Sequence, residues 1–504
     1  MKRRWKIVAA IALGGVFGAL LIFNSGRSAR EAWMETRNSL RRAGFKLDLA
    51  EFNPSIAAEI TNRAETLARD ELALRKTFFG GVVETLFFGP PVIMSPADSN
   101  SAVVVWRQAD VKFLPRQPLW PAARAFFEEN KAVLDEARKA ALSGPIRFAD
   151  VAGPAAVARV GEPIKRLADE FAVGAVLELH EGKPALAWTN LMVATRLATA
   201  WNPGPLQEAQ VERYHRVITA FNTAWQVLQA DDWTDEQLAK LQQEWESADF
   251  LANLPDLVAY RRVSAAKTCA ESRLPARAEY KPTEVFHSWW NAVPIVKGCW
   301  EQFRYQRTGS YADERNLMLY FRDRELEMRR AISCPSWLDM DGIITAGTAT
   351  PFTPTAYPVA AHSVSRLQWN LGLEQKNDCA ASAAFAEIRR GIVITAVAVK
   401  RYHAKHGSYP GTLQALVPDF LPRPPTDFLD GAPLRYVLND GRFMLYSIGI
   451  FPVHELPVIT HGSPRPRITR FVVGPGERAE LVWPLPDQPG DMADSKVDAR
   501  GMTR

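Results

Sequence analysis

The first strong apolar pattern in the chain is an uncharged run from Ile7 to Phe23. It has the length of about 17–25 residues that a helix needs to cross the hydrocarbon core of a bilayer. The run follows four basic residues: Lys2, Arg3, Arg4 and Lys6. The positive-inside rule therefore predicts a single transmembrane helix over 7–23, with a cytoplasmic tail at 1–6. A cleaved signal peptide is the alternative, and both interpretations export the remainder of the chain.

Beyond this run the apolar spacing predicts a mainly helical protein. The pattern predicts a helical stalk over residues 24–120, with short strands within 79–114. Residues 121–334 read as a helical body, in which Pro121 opens a helix whose apolar stripe continues to Ala137. No repeat of fixed period is present, which favours an irregular stack of helical hairpins. Further helices are predicted at 156–180, 184–200, 206–229, 234–249, 255–273, 282–305 and 311–331, and Thr234 with Gln237 forms a capping box.

The pattern changes at a stretch rich in proline and glycine, 335–376, which predicts a linker or surface loop. A long amphipathic helix follows and must end by Gly407. Two strand-like runs, Leu434 to Leu438 and Arg442 to Ser447, flank Asn439-Asp440-Gly441, which is a hairpin signal. The pattern over 377–485 therefore predicts a small α+β module with added strands. The polar composition of the tail, 486–504, predicts disorder.

Composition narrows the class of protein. A chain of 504 residues suggests about two to four domains. The 61 basic and 56 acidic residues are interleaved, so no basic face for nucleic acid is indicated. The four cysteines permit two disulfides in an exported protein, with Cys269 and Cys299 the most local pair, or they are buried thiols. Their spacing argues against a zinc site. The other two cysteines are Cys334 and Cys379.

Several short motifs after the linker occur in a characteristic order. The long helix leads to Gly407-Ser408-Tyr409-Pro410, then to Gly431-Ala432-Pro433 and to Tyr446-Ser447-Ile448-Gly449. Over about residues 379–450 this resembles the C-terminal domain of the major pseudopilin of type II secretion systems. The resemblance implies a long helix packed against a small antiparallel sheet. The remainder resembles uncharacterised exported proteins of planctomycete and verrucomicrobial type, and that likeness implies no activity.

Two departures from the pseudopilin pattern limit what the resemblance implies. The membrane run carries no prepilin cleavage motif and lies hundreds of residues before the module. The segment after Gly449 has no Asp in the place of the family's calcium loop, whereas Ca²⁺ needs about 6–8 oxygen ligands. The resemblance therefore implies the fold, without pilus assembly and without calcium.

Two helical motifs are candidates for a catalytic or a metal site. Ser264 and Lys267 match S-x-x-K, but the K-T-G and S-D-N partners of that motif are missing. His403 and His406 could share a metal, although cationic groups at the end of a helix also favour its dipole.

The remaining candidates have simpler explanations. Asp339 and Asp341 could form an acid–base pair, but a solvated turn explains them as well. Gly474-Pro475-Gly476 lacks the following helix that a phosphate site requires. Trp289, Trp290 and Trp300 could line a glycan groove, although a helix core is their default place. We therefore predict no catalytic residue, no metal ligand and no cofactor.

The sequence thus predicts a single-pass protein of the bacterial inner membrane with its bulk in the periplasm. A non-enzymatic scaffold or interaction protein is the leading hypothesis for its function, near a secretion or pilus-like system. Its expected partners are the membrane and other envelope proteins, and the oligomeric state stays open. The alternative is an envelope hydrolase acting on glycan or peptide, with its site in the helical body. A minor third hypothesis is a lipid- or peptide-binding shell that uses the Trp-rich segment 286–305.

Overall fold

The chain is mainly helical with a small antiparallel sheet. The structure is a computed structural model, and it describes residues 25–52, 58–74, 119–147, 154–202, 204–228, 230, 233–273, 300–301, 303–348, 378–439, 442–448, 471–474 and 477–483. Several predictions lie outside these residues: the membrane run Ile7–Phe23, the short strands within 79–114, Cys299, most of the helix 282–305, and the tail 486–504.

Twelve α-helices occur in the described residues. They are α1 (residues 25–42), α2 (Ala58–Ala73), α3 (Leu119–Glu129), α4 (Lys131–Leu142), α5 (Pro154–His180), α6 (Pro184–Thr199), α7 (Gln207–Val227), α8 (Asp235–Glu246), α9 (Leu254–Glu271), α10 (Ser310–Ala331), α11 (Trp337–Thr348) and α12 (Asp378–His406). Short 3₁₀-helices cover Leu49–Phe52 and Leu413–Leu416, and a π-helical turn covers Tyr305–Gly309.

Most of the predicted helices in the body are confirmed. Helices α5 to α10 match six predicted ranges within a few residues at each end. The capping box at the start of α8 is also present, because Thr234 Oγ1 accepts from Gln237 N at 3.2 Å and the Gln237 side chain accepts from Thr234 N at 3.0 Å. Local start signals and apolar periodicity therefore suffice to place these helices.

One helix of the body was predicted too long. The stripe expected to run from Pro121 to Ala137 in a single helix is divided between α3 and α4. The break falls at Asn130, which adopts φ −102° and ψ 11°. Its side-chain Nδ2 donates to Phe126 O at 2.9 Å and caps the end of α3. Asparagine competes for backbone hydrogen bonds in this way, which explains the break inside a continuous apolar stripe.

The linker prediction for 335–376 is wrong over Trp337–Thr348, which forms α11. Ser336 begins this helix: its Oγ donates to Asp339 Oδ2 at 2.7 Å and accepts from Asp339 N at 3.2 Å. Gly347 lies within the helix and packs against the carboxylate end of Glu327. The cap and this close contact outweigh the low helix propensity of glycine. The rest of the predicted linker, 349–376, lies outside the described residues.

The chain divides into two compact units, and the first contains α1, α9, α10 and residues 341–348. Helices α9 and α10 pack along each other, with Cys269 and Phe321 among the buried residues between them. Arg262 of α9 and Glu325 of α10 form a buried ion pair, and Arg262 Nη2 also donates to Lys46 O at 2.8 Å. A buried pair of this kind must be hydrogen-bonded to offset its desolvation.

The second unit contains α2 to α8, residues 334–340, α12 and the strands. Helices α5, α6 and α7 pack against one another, and α12 packs on α7 and α8. Two short strands, β1 (Ile146–Arg147) and β2 (Trp201–Asn202), pair in parallel.

The main sheet follows α12 in the chain. It contains β3 (Arg435–Asn439), β4 (Arg442–Ile448), β5 (Phe471–Gly474) and β6 (Glu477–Trp483), in the antiparallel order β3-β4-β6-β5. The predicted hairpin is confirmed, because Asn439 pairs with Arg442 across the turn. Helix α12 packs against β4 and β6, so the expected order of a long helix and then an antiparallel sheet is observed. The helix also ends as predicted, because Gly407 has a φ of +73°.

Within the described residues, no helix combines the length and the apolar character needed to cross a bilayer. Cys269, Cys334 and Cys379 are thiols in the structure. Of the two alternatives for Cys269, a disulfide with Cys299 or a buried thiol, the structure shows the buried thiol, which lies in the α9–α10 core. Burial raises its pKa to about 12, with the carboxylates of Glu314 and Asp313 adding to the effect.

Candidate functional site

The S-x-x-K motif on α9 makes no catalytic contact in the described residues. The Lys267 ammonium lies 3.9 Å from Glu271 Oε1 on the helix surface, in an exposed i, i+4 pair. Ser264 accepts through its backbone oxygen from Thr268 Oγ1 at 3.1 Å. A Lys acting as a base would have to face the Ser hydroxyl, whereas this Lys lies beside a carboxylate in solvent.

The two histidines at the end of α12 stack on aromatic rings. The His403 ring lies 4.3 Å from that of Tyr409, and the His406 ring lies 4.2 Å from that of Tyr402. In the described part of the chain no group of three or more His, Cys, Asp or Glu side chains is arranged to hold a metal ion. His403 and His406 lie with Lys405 in the last turn of α12, where positive charge is favoured by the helix dipole.

The other candidates are also accounted for by local structure. Asp339 lies in the first turn of α11 and accepts from Ser336 Oγ at 2.7 Å, and Asp341 accepts from Thr345 Oγ1 at 3.3 Å in the same helix. Gly474 pairs with Glu477 in the β5–β6 hairpin, so no helix follows it, as the sequence indicated. Trp300 is exposed and stacks on Phe303 with ring centroids 6.1 Å apart. Trp289 and Trp290 lie outside the described residues.

A charge cluster that the motif search missed lies between α5 and α7 in the second unit. Helix α7 carries Glu212, His215, Arg216 and Thr219 at positions i, i+3, i+4 and i+7, which is one helical face. Helix α5 places Asp169 opposite this face, and Thr219 Oγ1 donates to Asp169 Oδ1 at 3.1 Å. The charge cluster, as named here, consists of Asp169, Glu170, Glu212, His215 and Arg216.

Burial perturbs the carboxyl groups of the cluster most strongly. Desolvation raises the pKa of Asp169 to about 6, although the Thr219 hydroxyl and the nearby charges of Lys165 and Arg216 favour its ionised form. The pKa of Glu170 is raised well above its usual range by burial, with Asp169 and Glu71 adding like-charge repulsion. Glu170 Oε2 has no hydrogen-bond partner in the described part of the chain.

The basic members of the cluster are perturbed in the opposite sense. Burial lowers the pKa of His215, and Glu212 only partly opposes that effect. Burial lowers the pKa of Arg216 to about 9. Its Nη2 donates to Gly161 O at 2.5 Å, and its guanidinium carbon lies 3.8 Å from the ring centroid of Trp201. Among the described residues, its Nε and Nη1 find no acceptor.

This arrangement can hold and exchange protons near neutral pH. Asp169 titrates close to the range in which a general acid or base works, and burial favours the neutral form of His215. Asp169, Glu170, Glu212 and His215 are half-buried residues, whereas Arg216 is buried. Strongly perturbed groups that are gathered on facing helices are the feature by which functional sites are recognised.

Sequence reasoning missed the cluster because no motif describes it. A signal was present: Glu212, His215, Arg216 and Thr219 follow a helical spacing along one face of α7. The partner residue Asp169 lies 43 or more positions earlier than this face, and only the packing of α5 on α7 brings them together. Comparison of the chain with known proteins adds no further evidence, because no protein-family model, no curated protein and no solved structure matches it.

Proposed function

We propose that the chain is a scaffold or interaction protein of the bacterial envelope, anchored in the inner membrane by Ile7–Phe23 with its bulk in the periplasm. Its C-terminal module resembles a pseudopilin but works as a fixed part of the helical body. The charge asymmetry around the apolar run supports the anchor. The observation that carries the rest is the packing of α12, which is covered by α7 and α8 as well as by the sheet.

Two arginines hold α12 against α8. Arg390 donates from Nε to Trp245 O at 2.7 Å and from Nη2 to Glu246 O at 3.0 Å, which caps the last turn of α8. Nearer the C-terminal end of α12, Arg401 donates to Asp235 Oδ1 at 2.8 Å and to Gln242 Oε1 at 3.1 Å. A helix bound along its length by the body has little surface left for assembly into a fibre, and this supports a fixed module.

The corner that carries the resemblance is tied to the sheet. Tyr436 of β3 donates its hydroxyl to Pro410 O at 2.6 Å. The Tyr409 ring lies between those of His403 and Phe443, at 4.3 and 4.9 Å. The residues of the motif thus pack the end of α12 onto the hairpin. This packing supports a module that is rigid where the end of α12 meets the sheet.

Cross-linking of intact membranes followed by capture of the tagged full-length chain tests the interaction. We expect one protein partner to recur with the wild type and to be reduced in R390M/R401M, because loss of both arginines loosens α12 from α8. R423M, which changes an exposed arginine of the module, is the matched control and should retain the partner. If replicates recover no recurring partner, the scaffold proposal is contradicted.

The charge cluster favours a second candidate, an envelope hydrolase acting on glycan or peptide. In this role Asp169 would donate a proton to the leaving group, since its pKa of about 6 leaves part of it protonated near neutral pH. Incubation of the full-length chain with peptidoglycan and with a peptide mixture tests it. Turnover should be lost in D169N and kept in E208Q, a change at an exposed carboxyl of α7. Absence of turnover by the wild type excludes this candidate.

A further inference from the structure

A pair of aromatic rings is exposed in the first unit, just before the π-helical turn. Trp300 is 42% exposed and Phe303 is 40% exposed. In the described part of the chain they are the only aromatic residues among the exposed large hydrophobic side chains. They stack with an interplanar angle of 25°, so the two rings form one contiguous exposed aromatic pair. Exposed aromatic surface of this kind marks an interaction site more often than a lone exposed Leu does.

Arginines extend this surface along the same helical face. Arg304 and Arg307 follow Trp300 at i+4 and i+7, and both are exposed. The Arg307 guanidinium lies 5.5 Å from the Phe303 ring centroid. Glu301 is the acidic residue of this stretch and is half-buried. We call the four residues Trp300, Phe303, Arg304 and Arg307 the aromatic–arginine patch.

The start of α1 fixes where this patch lies with respect to the proposed anchor. Gly26 packs so closely on the π-helical turn that a methyl group added to it would lie 2.8 Å from Arg307 O. Gly26 is only three residues beyond Phe23, where the apolar run ends, and three residues span at most about 10 Å. Arg307 therefore lies within a short distance of the point at which the anchor leaves the bilayer. Trp300 is about 10 Å further along the helix.

We propose that the aromatic–arginine patch rests on the membrane surface beside the anchor and binds anionic phospholipid headgroups. This inference rests on the proposed function, since it requires the anchor. The chemistry matches the location: Trp at the level of the headgroups buries its ring while its N–H remains hydrated. Arginine side chains reach lipid phosphates, while their stems cover apolar surface. Arg27 and Arg30 are both exposed at the start of α1, where Arg27 pairs with Glu31 at 3.0 Å.

Contact quenching of tryptophan in lipid nanodiscs tests this proposal with the full-length chain. Brominated acyl chains quench only those indoles that reach the bilayer. We expect the wild type to be quenched more than W300F, with a larger difference when phosphatidylglycerol is added to phosphatidylcholine. R304Q/R307Q should lose this dependence on phosphatidylglycerol. R41Q/R42Q, at exposed arginines near the far end of α1 about 20 Å away, should behave as the wild type.

Two readouts separate the failure of this inference from that of the proposed function. Retention of the wild-type chain in the membrane after alkaline carbonate reports the anchor alone. If the chain is retained but the wild type and W300F are quenched equally, the patch does not touch lipid and the inference is wrong. If carbonate extracts the chain, the proposed membrane anchoring is contradicted, and so is the inference that depends on it.

Discussion

Asp169 is the residue at which the electrostatics of the charge cluster can be measured most directly. Its pKa rises from 3.8 to about 6 in the folded chain, so the folded state holds the proton more tightly than the unfolded chain does. The stability that this protonated carboxyl contributes is complete below about pH 4 and is lost as the pH rises through about 6. A shift of this size corresponds to up to about 3 kcal/mol at neutral pH.

We therefore predict that D169N is more stable than the wild type at about pH 7.5, by up to about 3 kcal/mol, and nearly equal to it at about pH 4. The amide keeps an acceptor for the Thr219 hydroxyl but carries no charge to desolvate. Urea unfolding at a series of pH values measures the difference, with E208Q as the control whose profile should follow the wild type. A D169N difference that is independent of pH would contradict the burial of this carboxyl.

Cys269 provides a second test at the scale of one residue. Only the thiolate reacts with alkylating reagents, and burial raises the pKa of this thiol to about 12. We predict that iodoacetamide modifies Cys269 slowly in the native protein and rapidly after denaturation, while the half-exposed Cys334 reacts first. Peptide mass spectrometry follows both sites. Recovery of Cys269 in a disulfide, or native alkylation as fast as that of Cys334, would show that the α9–α10 core differs from the one described.

At the scale of elements, two helix glycines should respond in opposite directions. Gly174 of α5 has no room for a Cβ atom, which would lie 2.6 Å from Phe127 Cζ of α3. Gly391 of α12 has open space around it. We predict that G174A costs about 1–3 kcal/mol through overpacking, whereas G391A gains about 0.5–1 kcal/mol by favouring the helix. Thermal unfolding of both variants measures the contrast, and a gain in G174A would contradict the close approach of α3 to α5.

The elements also show which features a sequence can predict. Helices α5 to α10 were predicted because their apolar periodicity is local, and the hairpin was predicted because Asp-Gly specifies its turn. The break at Asn130 and the helix that Ser336 begins were missed, because a side-chain hydrogen bond overrides composition at each position. Each hydrogen bond joins residues within four positions, so a local sequence signal existed in both cases. It was weaker than the apolar stripe that predicted one long helix, and weaker than the glycine and proline content that predicted a linker.

The charge cluster, in contrast, could not be predicted from the sequence. Its members come from two helices, and burial rather than any short motif perturbs them. The same holds for the contacts of Arg390 and Arg401, which cross about 145 to 166 positions of the chain. Long-range packing decides these features, and the sequence alone indicates only that polar residues interrupt apolar faces.

For the whole molecule, we propose that an anchor precedes a helical body and a module fixed to that body. Neither the charge cluster nor the aromatic–arginine patch requires the module to polymerise. Because α8 binds α12, separating the module from the body would be costly. The aromatic–arginine patch and the anchor have a common consequence: the first unit should lie at the membrane surface. The anchor is therefore the claim on which the cellular part of the account depends.

Protease accessibility in spheroplasts tests that claim most directly. The full-length chain, with an epitope after Arg504, is expressed in a bacterium and probed before and after disruption of the inner membrane. We predict that it stays in the membrane pellet after alkaline carbonate and that external protease removes the epitope while the inner membrane is intact. Full-length protein that is recovered in the soluble cytoplasmic fraction, and that is protected until the cells are lysed, would contradict the account.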